Sequence, residues 1–89
     1  MPTISFDFRY IADRNEFYRQ FAAKCQLGEE FGANLDALWD VLTGELALPL
    51  EIRLLHLHQH THSAQFAAII ATLEEAVEEL DGSLQLTLN

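Results

Sequence analysis

The sequence predicts an α/β fold, a small three-stranded parallel sheet with three to four packed helices, in a single domain over residues 1–89. Three observations carry this reading. Three short segments alternate apolar and polar residues with the period of a half-buried strand. Between each of them and the next lies at least one segment with apolar residues at the three- and four-residue spacing of a helix. Strands separated by helical crossovers pair in parallel.

Each element has its own justification. Ile4, Phe6 and Phe8 alternate with Ser5 and Asp7, a strand over Thr3–Phe8. Asp13, with Glu16 three residues later, is a capping-box-like start, and Ile11 supplies a hydrophobic flank. Phe17, Phe21 and Cys25, with Ala22, carry that helix to about Cys25. Gly28 and Gly32 punctuate a loop. Asn34 is a favourable N-cap for a helix over Leu35–Leu42, and Gly44 suits its stop. After Pro49, Leu50, Ile52 and Leu54 alternate with Glu51 and Arg53 as a second strand. The run HLHQHTH reads either as one short helix or as a loop. Ser63 is placed to cap a longer helix whose stripe is Phe66, Ile69, Ile70, Leu73, Val77 and Leu80. Asp81–Gly82 ends it, and Leu84, Leu86 and Leu88 alternate as a closing strand.

A chain of 89 residues buries about 60–65% of its unfolded surface, enough for a core without a disulfide or metal staple. The N-terminus shows no signal-peptide pattern, and no stretch approaches the roughly 18 apolar residues of a membrane span. The single Cys25 cannot form an internal disulfide. At a helical apolar position it reads as a reduced thiol acting as a small hydrophobe, and the expected compartment is a reducing cytoplasm.

Charge is unevenly placed. The net charge is −9. Residues 1–24 hold three acids (Asp7, Asp13, Glu16) against four bases (Arg9, Arg14, Arg19, Lys24), a net of +1. Residues 25–89 hold eleven acids against Arg53 alone, a net of −10. Such a surface repels phosphate backbones, so direct nucleic-acid binding is not expected. It attracts a basic partner, or it serves only to keep a small protein soluble.

Placement favours the partner. On the helix at 35–42, Leu35, Leu38, Trp39 and Leu42 form the apolar face, while Asp36, Ala37 and Asp40 lie toward the other. Asp36 sits in the first turn, where the helix dipole favours an anion. Asp40 sits in the last turn, where the dipole disfavours it, and it repels Asp36 at i, i+4. Glu29, Glu30 and Glu45 surround the pair with no base between Lys24 and Arg53. Ala33 and Ala37 leave room for another surface, and Trp39 belongs to the core side with its indole at the rim. A second cluster, Glu74, Glu75, Glu78, Glu79 and Asp81, forms the polar side of the long helix. Its first members extend the Asp36/Asp40 surface if the two helices are neighbours.

The four histidines, His56, His58, His60 and His62, line up on a strand and scatter into i, i+4 pairs on a helix. They have no Cys nearby and no acid between residues 54 and 73, so no metal site is expected. Ser5, Ser63 and Ser83 lack a nucleophile elbow, and no phosphate loop is present. No catalytic residue and no cofactor are assigned: the chain does not read as an enzyme.

At residues 31–44 the pattern F-G-x-N-L-D-A-L-W-D-x-L-T-G resembles the signature of the barstar family, intracellular inhibitors of an extracellular ribonuclease. The order of elements agrees along the chain, and Glu74-Glu75-Ala76 is similar to the acidic site on the family's last helix. The resemblance implies a barstar-like three-stranded parallel sheet with surrounding helices. It also implies a ribonuclease partner, with Asp40 standing in for substrate phosphate among the partner's basic residues. Asp36 would then pair with further cations, Glu75 would extend the contact, and Asn34, Leu35, Ala37, Trp39, Thr43 and Gly44 would complete it. Glu30 and Glu45 occupy positions where the family's inhibitor carries aromatic residues, and one of the family's two cysteines is missing.

Overall fold

The structure, a computed structural model, describes all 89 residues. The chain runs through β1 (Thr3–Asp7), a short 3-10 turn, α1 (Arg14–Lys24), α2 (Leu35–Gly44) and β2 (Leu50–Leu55). Two more 3-10 segments then lead to α3 (Ala67–Glu79) and β3 (Leu84–Leu88). The strands are parallel in the order β1-β2-β3, with Ile4 opposite Ile52 and Ile52 opposite Leu86. Right-handed crossovers taken in this unbroken order keep every helix on one face of the sheet.

That topology explains the strand patterns. Phe6, Leu50, Ile52, Leu54 and Leu84 face the helices and are buried. Thr3, Ser5, Asp7, Glu51, Arg53, Gln85 and Thr87 alternate onto the other face. Parallel sheets are normally covered on both sides; here the second side is polar and satisfies itself. The Glu51 carboxylate accepts from Thr3 Oγ1 (3.3 Å) and Thr87 Oγ1 (2.7 Å), joining all three strands. Arg53 Nε lies 3.7 Å away.

Between sheet and helices, 18 buried hydrophobic residues form one core cluster with no buried polar residue among them. Its centre is aromatic. Phe6 and Phe17 pack at 4.9 Å, and Phe8 meets Phe66 edge-on at 4.9 Å. Such pairs add about 0.5–1.5 kcal/mol each beyond their burial.

The expected elements are present, and their ends differ for local reasons. β1 stops at Asp7 because that carboxylate accepts from the Arg9 N–H (3.0 Å) and pairs with the Arg9 guanidinium (2.7 Å), turning the chain. Asp13 caps α1, accepting from the Glu16 N–H at 2.9 Å. The reciprocal half of the box is absent, since Glu16 is taken by Arg19 (2.6 Å) and Gln20 (2.8 Å). α1 then closes through Gln26, whose φ of 57° is left-handed. The N–H of Leu27 donates to the Ala22 carbonyl and that of Gln26 to Ala23, the Schellman pattern that usually uses glycine. α2 runs through Gly44 rather than stopping before it, with the Glu45 N–H still bonded to the Val41 carbonyl. Ser63 does not cap the long helix. It opens a 3-10 segment, and α3 begins behind Phe66 with no side-chain cap, its start fixed by complete burial of the Phe66 ring. The peptide bond Leu48–Pro49 is cis.

Candidate partner-binding site

α2 is held from beneath and at its start. Leu38, Val41 and Leu42 are buried, Trp39 is half-buried, and the helix packs against α3. Asn34 Oδ1 accepts from the Ala37 N–H (2.8 Å) while its Nδ2 donates to the Gly32 carbonyl (3.1 Å). Both ends of that amide are therefore spent inside the chain, and Asn34 acts by shaping the helix start. The preceding loop is pinned by Phe31, whose ring packs 5.7 Å from Phe21 and 6.2 Å from Tyr18. Between these two anchors Ala33 takes a left-handed φ of 48°, which costs a residue with a Cβ roughly 1 kcal/mol.

The anchored loop and helix enclose a hollow of about 190 Å³ lined by Asp40, Glu30, Glu45 and Ala37, with Phe31 and Val41 as apolar wall. The Glu30 carboxylate lies over Gly28, in the space that a Cβ there would occupy. Asp36, one turn before Asp40, opens instead onto a second hollow of about 550 Å³ together with Asn34 and Leu35. Arg14 from α1 and Ala68 from α3 border that second hollow. Both aspartates are exposed.

Leu35, expected on the apolar face, is 39% exposed, because it lines the open hollow that α2 shares with Ala68 and Ile69 of α3. Thr43 Oγ1 donates back to the Trp39 carbonyl at 2.8 Å. Gly44 has an ordinary helical backbone, and a Cβ built on it would meet nothing within 4 Å. The fold does not require glycine there, so its small size leaves the surface open.

On α3, Ala68 borders the Asp36 hollow. Thr72, Glu75 and Glu79 follow at helical spacing on the same flank, with Glu75 and Glu79 exposed. Glu74 lies toward the opposite flank, one turn on from Ile70, which with Ala67 lines a different hollow beside β3; Glu78, half a rotation from buried Ile69, points away from the core. The structure thus separates Glu74 from Glu75, which the sequence reading grouped together.

The chain's ion pairs are Asp7–Arg9, Glu16–Arg19 and Glu51–Arg53. Of the eleven acids after residue 24, Glu51 alone has a basic partner, so ten have none. Among the bases, Arg14 has no carboxylate partner, and the Lys24 ammonium sits 5.8 Å over the Phe6 ring.

The histidines do not form a ladder. β2 ends at Leu55, and His56 turns the chain with a φ of 60°. His60 Nε2 lies 2.8 Å from the Ile11 carbonyl, while its Nδ1 accepts from the His62 N–H at 3.0 Å. The ring therefore carries its proton on Nε2, and it meets Phe66 edge-on at 5.1 Å. No three His, Cys, Asp or Glu side chains are grouped to hold a metal. Cys25 is half-buried, and desolvation pushes its thiol up to about 11, so it is protonated near neutrality.

Sequence reasoning missed that Phe31 and Leu27 wall the Asp40 hollow and that Arg14 borders the same hollow as Asp36. Phe31 stood in the quoted pattern, one residue before Gly32; the approach of Arg14 is a tertiary event with no local signal.

A one-sided parallel sheet presenting an acidic helix whose carboxylates form no ion pair defines a small α/β domain with a strongly anionic face. The chain matches the family described as Barstar (barnase inhibitor) over residues 1–88. It is 30% identical over 90 residues, 99% of each chain, to a Bacillus subtilis (strain 168) protein named "Putative ribonuclease inhibitor YrdF". The chain belongs to the barstar family, whose members are inhibitors rather than enzymes. No helix is long and apolar enough to cross a membrane.

Proposed function

We propose that this domain, folding as one unit over residues 1–89, acts in the cytoplasm by masking the cationic active site of a ribonuclease with α2. The observation that carries the reading is Asp40, which shares its hollow with Glu30 and Glu45 and has no cation of its own. A carboxylate crowded by others of its own charge is unfavourable alone and favourable beside a partner's arginine or lysine. Asp36 and Glu75 supply charge along the neighbouring flank. Leu35, Ala37 and Gly44 provide apolar surface and close approach, Trp39 the rim, and Asn34 and Thr43 hold the helix in shape. The domain binds neither nucleic acid nor membrane directly, since the same acids repel phosphate.

Glu30 and Glu45 favour a second reading on the same surface, an interaction module for a basic protein that is not a nuclease. Carboxylates at the rim tune association and salt dependence more than they anchor, whereas aromatics anchor. One experiment separates the two. The protein and its Asp40→Ala variant are titrated into a secreted barnase-type ribonuclease, and RNA cleavage and dissociation are followed. Competitive inhibition is expected, with Asp40→Ala losing about 3–5 kcal/mol, the penalty for stranding a buried partner charge. Cleavage that persists at saturation with the bound protein removes the inhibitor reading and leaves the module.

A further inference from the structure

Arg14 is a base without a counter-charge on a chain with a large excess of acids. Arg9, Arg19 and Arg53 each pair with a carboxylate, and Lys24 lies over the Phe6 ring. Arg14 is exposed at the first position of α1, the end of a helix where the dipole disfavours a cation. It forms no ion pair with Asp36, although both line the hollow of about 550 Å³ between α1 and the start of α2. A second polar group without a partner lines the same space. Tyr18, one turn on from Arg14, is 6% exposed, and its hydroxyl makes no hydrogen bond within the chain. No side-chain polar atom is both sealed from water and unpaired, so the hydroxyl is the part of Tyr18 that reaches the open. Burial raises the pKa of this phenol and the charge of Arg14 opposes that rise, which makes guanidinium and hydroxyl neighbours. Leu35 and Asp36 border the hollow at the opening of α2, where the first N–H groups of a helix lack carbonyl partners.

We propose that this hollow takes a carboxylate of the same partner that docks on α2, held by Arg14 and the Tyr18 hydroxyl, while Asp36 receives a neighbouring basic side chain. The inference rests on the reading of α2 as the partner-binding helix, and adds that the partner's surface carries both signs at this point. Chemistry selects the occupant: a guanidinium and a phenol O–H both donate, so the group between them must accept. Position selects its source. The hollow is continuous with α2 through Asn34, Leu35 and Asp36, so a partner seated on that helix covers it. A second copy of this chain is disfavoured, because two chains of net charge −9 repel each other. The consequence is orientation. A uniformly cationic surface would attract the acids of α2 in many rotations, whereas a carboxylate that must find Arg14 fixes one of them.

The test measures dissociation constants of the protein and its variants on the secreted barnase-type ribonuclease, with the stability of each variant followed by urea unfolding. Net charge alone predicts that Arg14→Gln, which makes an acidic protein more acidic, binds a basic partner more tightly. The proposal predicts the reverse, a loss of about tenfold. Tyr18→Phe keeps the ring and is expected to lose about threefold, with its urea midpoint unchanged because the hydroxyl has no partner in the free domain. Lys24→Gln, the control for charge, is expected to bind as tightly as the parent or more tightly. Changing the ribonuclease's acids to their amides one at a time is expected to find one whose loss abolishes the effect of Arg14→Gln. Binding of Arg14→Gln at or above the parent's strength would overturn the proposal, as would an Arg14 effect that no ribonuclease carboxylate shares. So would a lower urea midpoint in Tyr18→Phe, which would give the hydroxyl an internal partner. The underlying reading fails differently: the ribonuclease would not bind at all, or Asp36→Asn and Asp40→Ala would bind like the parent, and this proposal would fall with it.

Discussion

Asp40 makes no hydrogen bond or ion pair inside the chain and repels Asp36 one turn away. Asp40→Asn should therefore leave the free domain as stable or stabilise it by roughly 0.2–0.5 kcal/mol, measured by urea unfolding. A clear loss would reveal an internal partner and weaken the functional assignment. His60 is the opposite case, a polar side chain with both ring nitrogens and one ring edge engaged. His60→Ala strands the Ile11 carbonyl and the His62 N–H, each a loss of about 1–3 kcal/mol if it stays buried from water. The melting temperature should fall in that variant, whereas adding EDTA to the unaltered protein should leave it where it was. The role of His60 was not legible in the sequence, because its partner Ile11 lies far away along the chain. Asp40 was legible, because its oddity is local: a like charge one turn back and no base nearby in sequence, although the helix runs on through Gly44 and leaves it mid-helix rather than in the last turn.

Element by element, what the sequence revealed was the inside of each helix and strand, and what it hid was their ends. The alternation of Leu50, Ile52 and Leu54 reports a buried face directly, as does the stripe through Ile69 and Leu73. Ends are decided by competition. Asp7 was free to continue a strand until Arg9 claimed it, and Ser63 lost its cap to the burial of Phe66. The site divides likewise: the acids of α2 were visible, whereas their separation into two hollows depends on how Phe31 seats the loop. The end of α1 yields a prediction. Gln26 occupies the left-handed position of the Schellman turn, where glycine pays no Cβ penalty. Gln26→Gly should stabilise the domain by about 1 kcal/mol, seen as a higher urea midpoint with an unchanged slope. Destabilisation would mean that the side chain, rather than the backbone, holds the turn.

At the scale of the molecule, eleven acids without an ion pair on a chain of net charge −9 make self-repulsion the dominant long-range force. Raising NaCl from about 10 to 200 mM shortens the screening length from roughly 30 to under 10 Å. The melting temperature of the free domain should rise while association with a basic partner slows. A flat response in both would mean that the acids are compensated. Acid acts through other residues. Arg9 holds Asp7 at about 2, Arg19 and Gln20 hold Glu16 at about 2, and Thr87 lowers Glu51. Carboxyls depressed in the folded state add stability that is full above their unfolded range of about 4 to 4.5. That stability is lost as pH falls toward 2. Glu16→Gln should accordingly be less stable than the parent at pH 6, and the two should converge near pH 2, compared by urea midpoints. A gap independent of pH would assign the effect to packing. The sheet has one more consequence, in time rather than space. β2 pairs with β1, made long before it, and with β3, made long after, while α2 leans on α3. A ribosome therefore completes the acidic helix before it has made the helix and strand that hold it, and the binding surface reaches its final shape only as the last strand joins the sheet.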